Sequence, residues 1–120
     1  MDKEDDGNGI IEGLFKSKEL YRILFEDAGE AIIFASDTKI IDCNIAALTL
    51  FGFQTKSDIL GKNLAHLCPG IQDDDLSSAE KLKSLIAEND GKNPKKFQWK
   101  YKKAGGALFL SESTLQTFNE

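Results

Sequence analysis

The sequence predicts an α+β domain in which helices pack on one face of an antiparallel sheet. Apolar residues recur at helical spacing near the N-terminus and again around residue 80. Two short apolar runs flank a polar turn at 36–39, which is typical of a β-hairpin. The last third alternates apolar and polar residues with the period of a strand. A length of 120 residues suits one domain with one core.

The N-terminal part divides into a polar end and a helix. Residues 1–9 are charged and glycine-rich, and we expect them to be disordered. The apolar spacing that follows predicts an amphipathic helix over residues 10–28, ending at Gly29. Its apolar stripe is wide, so the helix either lies on the domain's own sheet or pairs with a second copy. We predict that the chain forms a homodimer through this helix. The core of the domain is predicted to follow the helix, over residues 29–120.

Capping and turn residues mark the ends of the later elements. The predicted elements are strands at 31–35 and 40–43, a helix begun by Asn44 and stopped by Gly52, a helical turn from Thr55 to Gly61, a helix begun by Ser77 and ended near Gly91, and strands at 97–101 and 107–118.

The charge and the apolar runs exclude several classes of function. A net charge of −5 and a pI of about 4.9 give no general attraction to nucleic acid or to anionic membranes. The lysines between 92 and 103 are interpreted as the solvated face of a strand. The longest apolar run, 45–53, is too short to span a membrane. The acidic N-terminus does not resemble a signal peptide, and we expect a cytoplasmic chain.

Three segments together carry a family resemblance. AIIFASDTKIIDCNIAALTLFGF (31–53), TKSDILGKNLAHLCP (55–69) and FQWKYKKAGGALFLSES (97–113) resemble the PAS domain, or sensory box, over about residues 20–118. The resemblance implies a signal-transduction module, as in two-component systems, that serves an effector such as a histidine kinase. It also implies a five-stranded sheet in the order 2-1-5-4-3, whereas this chain supplies four strands. We therefore expect either a chain cut short or a strand supplied by something else.

The resemblance further implies a sensory pocket between the sheet and the helices. Its candidate lining, placed by strand alternation and helical spacing, is Ile33, Ala35, Ile40, Ala47, Leu60, Leu64, Leu67, Leu108 and Leu110. The same residues would also make an ordinary apolar core, and that alternative stays open.

Known cofactor chemistries of the family do not fit these residues. The flavin-binding light sensors form a photoadduct on a cysteine, and Leu64 occupies that position here, so this photochemistry is excluded. Haem-binding relatives use a histidine on the long helix, and residues 76–88 contain none. His66 is interpreted as a surface or capping residue, because structural zinc needs about four ligands. We predict no visible chromophore, and the identity of any ligand is unknown.

Few residues are candidates for chemistry. Cys43 and Cys68 are interpreted as free, buried thiols, although Cys43 is also a candidate redox sensor. Asp42 either holds a polar ligand group or caps the helix that follows, and we favour the cap. No catalytic triad, phosphate loop or carboxylate pair is present, so the domain is not predicted to be an enzyme. The hypotheses are a ligand sensor, a docking module with a filled core and, less favoured, a small enzyme.

Overall fold

The computed structural model describes residues 19–118. The predicted polar end at 1–9 and residues 10–18 of the predicted helix lie outside this range. In chain order the elements are a π-helix at Arg22–Glu26, β1 (Ile33–Ser36), β2 (Lys39–Cys43), α1 (Ile45–Phe51), 3₁₀ turns at Lys56–Asp58 and Leu64–Leu67, α2 (Ser78–Glu88), β3 (Lys95–Lys102) and β4 (Leu108–Leu115). Within residues 19–118 no helix is both long and apolar enough to cross a membrane.

The described part of the N-terminal helix covers residues 19–26. It is α-helical at 19–21 and continues as the π-helix, which ends when the Asp27 N–H bonds to the Arg22 carbonyl at 2.9 Å. The helix therefore ends before Gly29, which is not its cap. The Phe25 ring stacks on Phe34 of β1, with ring centroids 5.1 Å apart, and this stacking attaches the helix to the first hairpin.

The first hairpin pairs β1 with β2 in antiparallel register. Its turn residues Asp37 and Thr38 have φ values of 53° and 66°, the left-handed conformation that a two-residue hairpin turn requires. The register shifts between Phe34 and Ala35, because Ile40 and Asp42 face consecutive residues of β1 and Ile41 is left as a bulge.

The caps predicted at Asn44, Gly52, Thr55 and Ser77 are confirmed. The Asn44 side chain accepts a hydrogen bond from the Ala47 amide at the start of α1, and Gly52 ends α1 with a φ of 81°. Thr55 and Asp58 form the capping box of the first 3₁₀ turn. Ser77 caps α2 by accepting a hydrogen bond from the Glu80 amide.

The second hairpin pairs β3 with β4 over eight residues of each strand. The face of β3 that bears Phe97, Trp99 and Tyr101 turns inward, and Trp99 is 1% exposed. Phe109 lies opposite Tyr101 on the same face, with ring centroids 5.4 Å apart. The alternation of apolar and polar residues predicted for β3 is therefore confirmed, with these aromatic residues on the inner face.

The strands form two separate two-stranded sheets, β1–β2 and β3–β4, instead of one continuous sheet. Within residues 19–118, no backbone pairing joins β1 to β4. This agrees with the expected strand order, which leaves one lane between these two strands. Occupation of that lane by a further strand stays a prediction.

Helix α1 connects the two hairpins through Phe51. The Phe51 ring contacts Tyr101 and Phe109 at centroid distances of 5.4 and 5.6 Å. The Phe51 carbonyl also accepts a hydrogen bond from the Ala104 amide in the second turn, at 2.8 Å. The buried core around this contact consists of Ile40, Cys43, Ala47, Phe51, Ile59 and Leu67.

Candidate functional site

Five of the nine predicted pocket residues face the interior. Ile40, Ala47 and Leu67 are buried core residues, and Ile33 and Leu64 pack against that core. The space between the first hairpin and α1 also holds Cys43, Phe51 and Ile59, each at most 2% exposed. These buried side chains form an apolar core in the region where the sequence predicts a pocket, and a ligand-binding role for that region stays a prediction.

The other four predicted pocket residues face outward, and their inward placement is wrong. Leu108 and Leu110 are 52% and 60% exposed, because Phe109 takes the inner position of β4. Every residue from 107 to 110 is apolar, so alternation allowed either phase for this strand. Ala35 is exposed next to the register shift of the first hairpin. Leu60 is exposed because its neighbour Ile59 takes the buried position.

Two grooves on the surface lie along α2 and away from the predicted pocket. One, of about 260 Å³, lies between the end of α2 and the start of β3. The other, of about 350 Å³, runs along α2 from its N-terminal end to Leu85. None of the nine predicted residues lines either groove.

Asn44 joins the N-terminal helix, the residues just before β1, and α1 through its side-chain amide. Its Oδ1 accepts hydrogen bonds from the Ile32 and Ala47 amides at 2.9 and 3.0 Å. Its Nδ2 donates to the carbonyls of Phe25 and Glu30, both at 2.8 Å. The side chain is fully buried, and all of these polar atoms are satisfied. Asn44 therefore fixes where the N-terminal helix ends relative to the core.

A second polar contact joins the same helix to the first 3₁₀ turn. Lys56 Nζ donates to Glu26 Oε2 at 2.9 Å and to Asp42 Oδ1 at 3.0 Å. The amine also lies 5.6 Å from the centre of the Phe25 ring. The hydroxyl of Tyr21 donates to Asp42 Oδ2 at 3.1 Å. We call Tyr21, Glu26, Asp42 and Lys56 the ionic junction.

The pKa shifts agree with these contacts. The hydrogen bond to Glu26 is the main reason that the pKa of Lys56 lies well above its ordinary value. Burial raises the pKa of Asp42, but hydrogen bonds from Lys56, the Cys43 amide and Tyr21 outweigh it, and the pKa lies below its ordinary value. The Asp42 carboxylate and the Lys56 amine are therefore both charged at neutral pH. Asp42 is used by Lys56 and Tyr21 and does not cap α1, so the predicted capping role is wrong.

Both cysteines are buried free thiols, as predicted. Burial raises the pKa of the Cys43 thiol and of the Cys68 thiol, which disfavours the reactive thiolate. Trp99 donates its indole N–H to Cys68 Sγ at 3.1 Å. His66 is exposed, as predicted. Within residues 19–118, no three His, Cys, Asp or Glu side chains meet as a metal site.

Sequence reasoning found the capping role of Asn44 but missed the ionic junction. Its members lie between 21 and 56 in the chain, and no motif or spacing relates them. The only signal was Asp42, a charged residue beside the buried Cys43, which indicated that a partner was needed. Identifying Lys56 as that partner required the fold.

Comparison with solved structures gives close similarity in fold at low sequence identity. The PAS domain of an HTR-like protein from Haloarcula marismortui is 20% identical with a TM-score of 0.72, covering 91% of this chain and 85% of that chain. A PAS domain from a two-component sensor histidine kinase is 19% identical with a TM-score of 0.65, covering 90% and 87%. The PAS domain of a LuxR-family transcriptional regulator from Burkholderia thailandensis, in complex with ethanol, is 25% identical with a TM-score of 0.58, covering 78% and 79%. No curated protein sequence matches this chain significantly.

The family assignment follows from sequence and fold together. The PAS domain profile matches residues 29–119, well over half of the chain. The matched region contains both hairpins, the Asn44 cap and the Gly52 stop. This chain belongs to the PAS domain family of sensory signalling modules.

Proposed function

We propose that this PAS domain acts as a dimerising relay within a larger signal-transduction protein, with the N-terminal helix as the dimer contact. The observation that carries the proposal is an apolar stripe on that helix. Leu20, Ile23 and Leu24 are 55%, 48% and 61% exposed, and their spacing places them on one face. Apolar stripes of this kind are usually covered by a partner helix.

The attachment of this helix to the core supports a relay. Asn44 bonds to the carbonyl of Phe25, and Lys56 bonds to Glu26, so the end of the helix cannot move without disturbing both contacts. A change in helix pairing would therefore alter the contacts of the helix with the core near β1 and α1. Conversely, a change in the core at these contacts would alter helix pairing. Neighbours that come from sensor histidine kinases support a kinase as the kind of effector.

Ligand sensing is the second candidate, and one comparison favours it. The PAS domain from Burkholderia thailandensis is in complex with ethanol, a ligand of three heavy atoms. A ligand of that size would need only a small space among the buried core side chains. Native mass spectrometry and an absorption spectrum of freshly purified protein test this candidate. A bound mass or a visible band would support a sensor, whereas an apo mass supports the relay.

Catalysis is not part of the proposal. Within residues 19–118, the ionisable groups of the ionic junction are engaged with one another, and the buried thiols have raised pKa values. Neither arrangement offers a nucleophile or a free base beside a cavity. Any enzymatic output would belong to the effector.

Light scattering and sedimentation of the whole chain test the dimer. The paired change Ile23→Glu with Leu24→Glu places two carboxylates on the stripe and is expected to give monomers. Leu110→Glu is the matched control, because Leu110 is as exposed as Leu24 but lies on β4. A dimer that survives the paired change, or that the control abolishes equally, contradicts the proposed contact.

A further inference from the structure

The ionic junction places one cation where three elements meet. Lys56 belongs to the 3₁₀ turn, Asp42 to β2 and Glu26 to the N-terminal helix. Both carboxylates bond to the same Nζ, at 2.9 and 3.0 Å. One positive charge therefore compensates two negative charges, and the two carboxylates would repel each other without it.

Glu26 depends on Lys56 more than Asp42 does. Asp42 also accepts hydrogen bonds from Tyr21 and from the Cys43 amide. The other oxygen of Glu26, Oε1, is buried and has no hydrogen-bond partner within residues 19–118. When the Lys56 charge is removed, Glu26 is left as a partly buried carboxylate without compensation. Moving the helix outward is the way to rehydrate it.

The 3₁₀ turn that carries Lys56 is also attached to the buried core. Ile59 follows Lys56 by three residues, is fully buried, and donates its N–H to the Lys56 carbonyl at 3.0 Å. Two residues later, the Gly61 amide bonds to the carbonyl of Ile40 at 2.8 Å. A shift in core packing around Ile59 or Ile40 would therefore move Lys56, and through it Glu26.

We propose that Lys56 is an ionic clasp that holds the end of the N-terminal helix on the domain, and that its opening frees the helix and alters helix pairing. This inference rests on the proposed function, since it assigns the regulation of the same helix. The two states are a helix docked through Lys56 and a helix held by its other contacts, which are the Asn44 side chain, the Tyr21–Asp42 hydrogen bond and the stacking of Phe25 on Phe34. Partial exposure, 34% for the Lys56 side chain, lets solvent and salt reach the clasp.

Hydrogen exchange measured peptide by peptide on the whole chain tests the clasp. Lys56→Met keeps the aliphatic stem beside Phe25 and removes the charge. We expect amides in 19–28 to exchange roughly tenfold faster, the scale of losing a charge-assisted hydrogen bond, while β3 and β4 stay unchanged. Lys56→Arg should stay close to the wild type, because guanidinium can bridge two carboxylates. Glu26→Gln should also speed exchange in 19–28, by a smaller factor. This variant tests the clasp if Lys56→Met does not fold.

Lys81 offers a matched control. It also pairs with a carboxylate, Asp74, and its Nζ lies 5.6 Å from the centre of the Trp99 ring, but it lies on α2. Lys81→Met should leave exchange in 19–28 unaffected. Raising the salt concentration should speed exchange there in the wild type but not in Lys56→Met.

Unchanged exchange in 19–28 in both Lys56→Met and Glu26→Gln would overturn the clasp. Uniform acceleration across the domain, or the same effect from Lys81→Met, would overturn it as well. These readouts do not require a dimer, so the clasp and the dimer contact fail separately. Sedimentation that shows no dimer in the wild type rejects the dimer contact, whatever the exchange pattern of Lys56→Met.

Discussion

Replacing Asn44 with alanine gives the strongest test of how the N-terminal helix is fixed. The substitution removes four hydrogen bonds of 2.8 to 3.0 Å from a fully buried position. Two of the four backbone groups that lose a hydrogen bond to Asn44 have another hydrogen-bond partner. The Ala47 amide keeps its bond to the Asn44 backbone carbonyl at 3.1 Å, and Glu30 is exposed enough for water to reach its carbonyl.

The other two partner groups set the magnitude. The Phe25 carbonyl is buried and the Ile32 amide is half-buried, and each loses its Asn44 partner. Leaving such a group unsatisfied costs about 1–3 kcal/mol, and losing a helix cap costs about 1 kcal/mol. We therefore expect Asn44→Ala to lower the free energy of unfolding by ~4 kcal/mol, a large share of the stability of a small domain. Asn44→Asp keeps both acceptor roles but loses both donors, so it should destabilise nearly as much at neutral pH.

Urea unfolding followed by Trp99 fluorescence measures these changes, because Trp99 is the single tryptophan and is buried. Asn63→Ala is the control. Asn63 also caps a helical turn, accepting from the Ala65 amide and donating to Thr38 Oγ1, but it is exposed. Its removal should cost no more than about 1 kcal/mol. Equal, small losses for Asn44→Ala and Asn63→Ala would refute the reasoning from burial.

Four further predictions concern other parts of the domain. Because the pKa of Asp42 is lowered by folding, its stabilisation is present above its unfolded pKa and is lost as pH falls through the folded value. The difference in unfolding free energy between wild type and Asp42→Asn should therefore shrink below about pH 4. Cys43 and Cys68 should react with a thiol reagent only as the protein unfolds, and rapid labelling of the native protein would contradict their burial. Phe109→Ala should lower the free energy of unfolding by about 2–4 kcal/mol and Leu110→Ala by about 0.5 kcal/mol or less, as measured by urea unfolding. A larger loss for Leu110→Ala would instead indicate that Leu108 and Leu110 face inward, as the sequence predicts. Extending the chain by roughly ten natural residues after β4 should raise the melting temperature if a strand docks between β1 and β4, and an unchanged temperature would count against it.

Element boundaries were predictable where the signal was local. Asn44, Gly52 and Ser77 act within one turn of their own position, so the sequence specifies the helix ends they produce. The aromatic alternation of β3 likewise identified its inner face, because Trp99 and Tyr101 alternate with lysines.

Errors arose where the local pattern allowed two answers. The residues from 107 to 110 are all apolar, and only the pairing of Phe109 with Tyr101 decides that Leu108 and Leu110 face solvent. The bulge at Ile41 likewise changes which residues of the first hairpin lie opposite each other. The sequence did not identify Lys56 and Glu26 as members of the ionic junction, since they are thirty residues apart and each is an ordinary surface residue type.

The way the hairpins are attached makes the first one the part of the domain that responds to the N-terminal helix. Phe34 of β1 stacks on the helix residue Phe25, and Asp42 of β2 belongs to the ionic junction. The second hairpin meets α1 through Phe51, which lies at the opposite end of α1 from Asn44. Within residues 19–118 no strand pairing joins the hairpins, so a displacement of the helix reaches β3 and β4 by two routes. One is Phe51 of α1, and the other is the 3₁₀ turn at Leu64–Leu67, which bonds to Thr38 and precedes Cys68, the partner of Trp99. Phe51→Ala should therefore remove the first route, so that hydrogen exchange in β3 and β4 responds less to a displaced helix while the ionic junction stays intact. Comparing exchange in β3 and β4 with exchange in 19–28 measures this, and an unchanged response in β3 and β4 would contradict the role of Phe51.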